Sequence, residues 1–136
     1  MVGPRVYEIE EVNELIPDLQ RIFAELGELR SKLRTLKVRV DALELIWGDA
    51  LHESDNPDHG ELQSHLGDIR SIQQEFERAS QRIAALGGQV KKLEPPLVDF
   101  FGVREGRLVH WCWAGGEEAI GYWHHIDEGF AGRQPV

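Results

Sequence analysis

Cysteine is almost missing from this 136-residue chain, with Cys112 the single one. A lone thiol closes no intramolecular disulfide, which argues against a small cross-linked secreted scaffold and points to a reducing cytoplasm. Basic charge is scarce too. The 15 Lys and Arg stand against 24 Asp and Glu, a formal net charge of -9, whereas nucleic-acid binding rests on clustered cations that neutralise phosphates. The same deficit disfavours an anionic membrane surface. No window reaches the ~18 uninterrupted apolar residues of a membrane span, and the N-terminal stretch has neither a basic nor an apolar leader segment. The expectation is a mature cytoplasmic chain, one domain over 1–136, that meets neither nucleic acid nor membrane.

Helical periodicity dominates what is present. Val12, Ile16, Leu19, Phe23, Leu26, Leu29, Leu33, Leu36, Val40, Leu43 and Trp47 recur at alternating threes and fours, the spacing of a seam that packs against another helix. Two consecutive threes at Phe23, Leu26 and Leu29 break that rhythm once, as a stammer does in a coiled coil. Pro17 lacks the N–H that would bond the carbonyl of Asn13, so a short helix from Glu10, a kink, and a main helix over 18–47 are expected. Leu62, Leu66, Ile69, Ile72, Phe76, Ala79, Ile83 and Leu86 repeat the seam over 60–86, and Gly87-Gly88 supplies a stop. The turn-rich stretch Asp55-Asn56-Pro57-Asp58 lies between them, so the two helices should form an antiparallel hairpin.

After Pro95-Pro96 the pattern changes to short aromatic and β-branched runs over 97–103, 107–113 and 119–124, with Glu105-Gly106 and Gly115-Gly116 at the turns. These runs predict a three-stranded antiparallel meander, with Val6 and Tyr7 as a candidate fourth strand. The fold class is therefore α+β: a helical hairpin (8–93) kinked at Pro17, then a meander and an ordered C-terminal tail (97–136). In the middle strand Val109, Trp111 and Trp113 point one way and Leu108, His110 and Cys112 the other. Two bulky faces call for two covers, the hairpin on one and the tail or a second subunit on the other.

Several ordered segments carry a family likeness: Glu10-Glu11-Val12-Asn13 with Leu15-Ile16-Pro17, Leu97-Val98-Asp99-Phe100, Cys112-Trp113 with Gly116-Glu117, and Trp123-His124 followed by Gly129-Phe130, Gly132-Arg133 and Pro135. The chain resembles the prokaryotic domain-of-unknown-function 2203 family from about Tyr7 to Val136. The resemblance implies one intact cytoplasmic domain and brings no catalytic residue with it.

Four groupings bear on chemistry. His110, Cys112, His124, His125 and Asp127 have the nitrogen, sulfur and oxygen donors of a transition-metal site, but only His110 and Cys112 are assured a common face; a closed site needs four ligands, so no structural metal and no cofactor are expected. His52, Glu53, Asp55, Asp58, His59, Glu61 and His65 fail the calcium-loop pattern and read as a solvated turn. Arg30, Lys32, Arg34, Lys37 and Arg39 should pair with Asp68, Glu75 and Glu77 on the facing helix. In the tail, Gly129 and Gly132 either bring Arg133 to an anion or serve a turn that buries Phe130 near Trp123 while Arg133 pairs with Asp127 or Glu128.

Nothing in the spacing supports nucleophilic catalysis, and Cys112 lies between two tryptophans in a strand. Two readings of function follow. One is a non-enzymatic self-association or protein-interaction module, a homodimer with Trp111, Trp113 or Trp123 at the contact. The other is a small-molecule (anion) or metal-binding protein, or an enzyme, whose site between meander and tail uses His110, Cys112, His124, Asp127 and Arg133.

Overall fold

The computed structural model describes residues 5–136. Helix α1 spans Ile9–Trp47 and α2 spans His59–Ala85, followed by strands β1 (Gln89–Leu93), β2 (Pro96–Arg104), β3 (Arg107–Ala114), β4 (Tyr122–His125) and β5 (Gln134–Pro135). The strands form one antiparallel sheet in chain order. The α+β class holds, with five strands where three were expected. Residues Glu25–Ala79 form one compact unit and the rest of the chain another, so the division runs across both helices. In α1 it falls within the irregular spacing of Phe23, Leu26 and Leu29.

In the unit 25–79 the two helices form the expected hairpin. Leu29, Leu36 and Ile72 make one buried cluster with Leu33, Ile69 and Phe76 against it, and Leu43, Leu51 and Leu62 make a second with Val40 and Leu66. The connection is tied locally, Trp47 Nε1 donating to Asp58 at 2.8 Å and a His59 ring nitrogen lying 3.1 Å from the Leu51 carbonyl. For four of the five basic residues the expected charge pairing does not form. Among the described residues Lys32, Arg34, Lys37 and Arg39 have no ion-pair partner, because these exposed side chains gain little from being fixed in water.

In the other unit, α1 continues through Pro17 without a break, so the short and main helices are one. Pro17 removes one backbone bond near the start, while Val12, Ile16 and Leu19 around it are fully buried. The end of α2 is closed by a Schellman turn: Gly87 at φ +91°, with Gly88 N–H donating to Ile83 and Gly87 N–H to Ala84. Strand β1 escapes the sequence pattern because it is a lysine-bearing edge, Gln89 to Leu93, of the kind that blunts strand association. Val6 contributes a single bridge to Phe101 rather than a fourth strand.

The two-residue turn Glu105-Gly106, both at positive φ, joins β2 and β3 and sets their register. That register pairs Val98 with Trp113 and Phe100 with Trp111 on one face. This face is covered from within the unit: Tyr7 stands edge-on to Phe100, Phe23 packs on Trp113, and the Asn13 side chain accepts the Ile120 N–H at 2.7 Å. Trp111, Trp113 and Trp123 are all buried here. Their rings are thus engaged within the chain, which removes the basis for placing them at a contact between subunits.

The Trp111 ring packs against Gly102 of β2 and donates from Nε1 to the Tyr7 carbonyl at 2.7 Å. A Cβ on Gly102 would sit 2.0 Å from that Nε1. Gly102→Ala should therefore cost about 1–3 kcal/mol or more by displacing the ring. Gly121→Ala, where a Cβ meets nothing within 4 Å, should be close to neutral; chemical denaturation of the two variants checks the contrast.

Candidate metal centre

The register that turns Trp111 and Trp113 inward puts Asp99 opposite Cys112, and His110 opposite both Phe101 and His124, on the other face. Asp99, His110, Cys112 and His124 are all buried. His124 Nε2 lies 3.1 Å from Asp99 Oδ2, and His110 Nδ1 lies 3.6 Å from the same oxygen. Donor atoms of Asp99, Cys112 and His124 fall within 4.8 Å of one another. The ligands of a tetrahedral zinc ion stand roughly 3.5 Å apart, given bond lengths of about 2.0–2.3 Å, so closing around an ion requires small movements only.

The hydrogen bonding of His124 is informative. Its Nδ1 lies 2.8 Å from the His125 carbonyl, which can only accept. Nδ1 therefore carries the proton, and in a neutral ring the Nε2 lone pair points at the Asp99 carboxylate. Two acceptors facing each other in a buried site need a proton or a cation between them. Fixing one ring nitrogen on a carbonyl is also how proteins orient a metal-ligating imidazole.

His110 is 5% exposed, and neither of its ring nitrogens has a hydrogen-bond partner. Burial holds its pKa below the ordinary histidine value; Asp99 opposes that shift, whereas the charges of His124 and Lys91 add to it. Burial, then the Asp99 charge, pushes the Cys112 thiol from 9.0 up to about 12. The group lines a cavity of about 190 Å³ whose other walls include Lys91, Leu97, Ile126, Glu128 and Phe130.

Cys112 and His124 are thus brought together with Asp99, which the sequence reading missed, and His110 stands beside them, 3.6 Å from the Asp99 carboxylate. The signal was a single carboxylate inside the apolar run Leu97-Val98-Asp99-Phe100-Phe101. Asp127 is exposed and outside the cavity wall. Arg133 bonds both Glu117 oxygens at 2.7 and 2.8 Å, donates to the Cys112 carbonyl at 3.3 Å and stacks over Tyr122. Burial works against its charge, but the Glu117 bonds outweigh it and raise the guanidinium above its usual pKa. Glu117, rather than Asp127 or Glu128, is its partner because the β3–β4 loop folds over, Glu117 Oε1 accepting the Ala114 N–H at 2.6 Å. Phe130 is 53% exposed, not buried near Trp123: it forms part of the cavity rim, with the Arg133 guanidinium 4.8 Å from its ring. In the hairpin connection, by contrast, no set of three metal donors gathers among the described residues.

Two outcomes follow. Cys112 should resist iodoacetamide in the native protein and react on unfolding, since burial and a raised pKa both withhold the thiolate; across pH 9 to 12 the folded chain keeps a proton that the unfolded chain has released, so this thiol lowers stability as pH rises. Phe130→Ala should cost about 1 kcal/mol or less in thermal or denaturant unfolding, against about 3–5 kcal/mol for a buried phenylalanine.

No curated protein and no solved structure matches the chain. A family model described as an uncharacterized conserved protein, DUF2203, matches residues 5–136. The chain belongs to that family, a domain of unknown function.

Proposed function

We propose that this protein binds one divalent transition-metal ion on the open face of its sheet, through Asp99, Cys112 and His124 with His110 completing the set. The observation that carries the reading is the convergence of a carboxylate, a thiol and an imidazole, all buried and with donor atoms within 4.8 Å of one another, beside a buried His110 whose ring nitrogens have no hydrogen-bond partner. Nitrogen and sulfur donors with one carboxylate oxygen suit zinc and its neighbours in the first transition row better than calcium or magnesium. An ion there would draw the Cys112 proton off, since the ligand is the thiolate. Of the two readings open from the sequence, site-based binding thus has the firmer support.

The cavity is larger than one ion needs. At about 190 Å³, against the ~30 Å³ share of a water molecule, it leaves room beside the donors for a small ligand. A thiol kept as a ligand suits a reducing compartment, and a cytoplasmic location fits this reading. No helix among the described residues is long and apolar enough to cross a membrane.

Cobalt(II) is the direct probe, because thiolate ligation gives a charge-transfer band that other donors do not. Titration of metal-free protein should saturate at one equivalent with that band present. Cys112→Ser should remove the band, and His124→Ala or Asp99→Asn should weaken binding tenfold or more. Wild-type protein that fails to bind, or binding unchanged in all three folded variants, would overturn the proposal.

A further inference from the structure

The hairpin of residues 25–79 carries a second, independent feature. One side of it is a groove of about 450 Å³, with Leu29, Leu36 and Ile72 among its walls. Lys32 and Arg39 stand on its α1 rim, Asp68 and Glu75 on its α2 rim. All four are exposed, and among the described residues none has an ion-pair partner. Beside the groove, α1 repeats a second seam at fours and threes, Ser31, Thr35, Val38, Ala42 and Leu45, all of it exposed. Val38 is 62% and Leu45 88% exposed. A seam of that spacing is what one helix offers to another.

We propose that a second copy of the same hairpin occupies this groove, giving a homodimer built on a four-helix bundle. The charge pattern identifies the occupant. One rim is cationic and the other anionic, so the surface is complementary to itself, the condition for an isologous two-fold contact. It also selects the arrangement. In the antiparallel hairpin Ile72 clusters with Leu29 and Leu36, which sets Lys32 within about a turn of Glu75 and Arg39 within about a turn of Asp68. A two-fold axis parallel to the helices lays α1 of one copy on α2 of its partner, cation on anion at both levels. The perpendicular axis would lay α1 on α1 and cation on cation. Small side chains along the groove, Ser31, Thr35 and Ser71, allow the helices to approach closely.

Sedimentation equilibrium with charge reversals tests this. Wild-type protein should be dimeric well above micromolar concentration. Lys32→Glu with Arg39→Glu, and separately Asp68→Lys with Glu75→Lys, should each give a folded monomer. An equimolar mixture of the two should restore a dimer. A monomeric wild type, or a dimer indifferent to both reversals, overturns the proposal, the second outcome placing the contact elsewhere. Carbodiimide cross-linking of a mixture of isotope-labelled and unlabelled wild-type chains gives a readout that needs no variant: mixed-isotope peptides joining Lys32 to Glu75 are expected, and their absence from a cross-linked dimer contradicts the arrangement.

Discussion

The register between β2 and β3 is the constraint on which the rest of this structure depends. Side chains alternate faces along a strand, so a slip of one residue would exchange the two faces. As formed, the turn at Glu105-Gly106 pairs Phe100 with Trp111 and Val98 with Trp113, and the apolar face is buried against Tyr7, Phe23 and their neighbours. Once that face is fixed, Asp99, His110 and Cys112 have no choice but the opposite one, where the β3–β4 register adds His124. The polar cluster is thus the obligatory reverse side of an aromatic core.

Burying such a group costs free energy. A carboxylate out of water needs compensation from partners or from a cation, and an imidazole with two idle nitrogens forfeits hydrogen bonds it would make in solvent. The protein places these groups where four hydrophobic residues of similar size would have packed at no such cost. The arrangement is explicable if the four act on something, and the gathered donors of Asp99, Cys112 and His124 are of the kind a metal cation takes. The rim that Phe130 and Glu128 add keeps a small volume open beside it.

Much of this was legible in the residues. Seam spacing identified both helices, Glu105-Gly106 marked its turn, and alternation along β3 put His110 and Cys112 together. The rest depended on contacts between distant segments. Asp99 is invisible in an apolar run until pairing sets it beside Cys112. Strand β1 fell within the range assigned to the hairpin because an edge strand carries charge rather than apolar alternation. Phe130, an aromatic in a tail, suggested burial, yet glycine-flanked backbone left it on a cavity rim. Pro17 marked a lost hydrogen bond, but the burial of Val12, Ile16 and Leu19 holds the helix through it. The two hydrophobic sheet faces that first suggested a dimer proved to be one apolar face and one polar cluster.

X-ray absorption spectroscopy on the zinc-loaded protein reads the ligand atoms around the ion. One sulfur at about 2.3 Å and lighter nitrogen or oxygen donors at about 2.0–2.2 Å are expected, with imidazole scattering in the outer shells. A shell with no sulfur, or with oxygen alone, would contradict the assignment of Cys112 and the histidines to the metal.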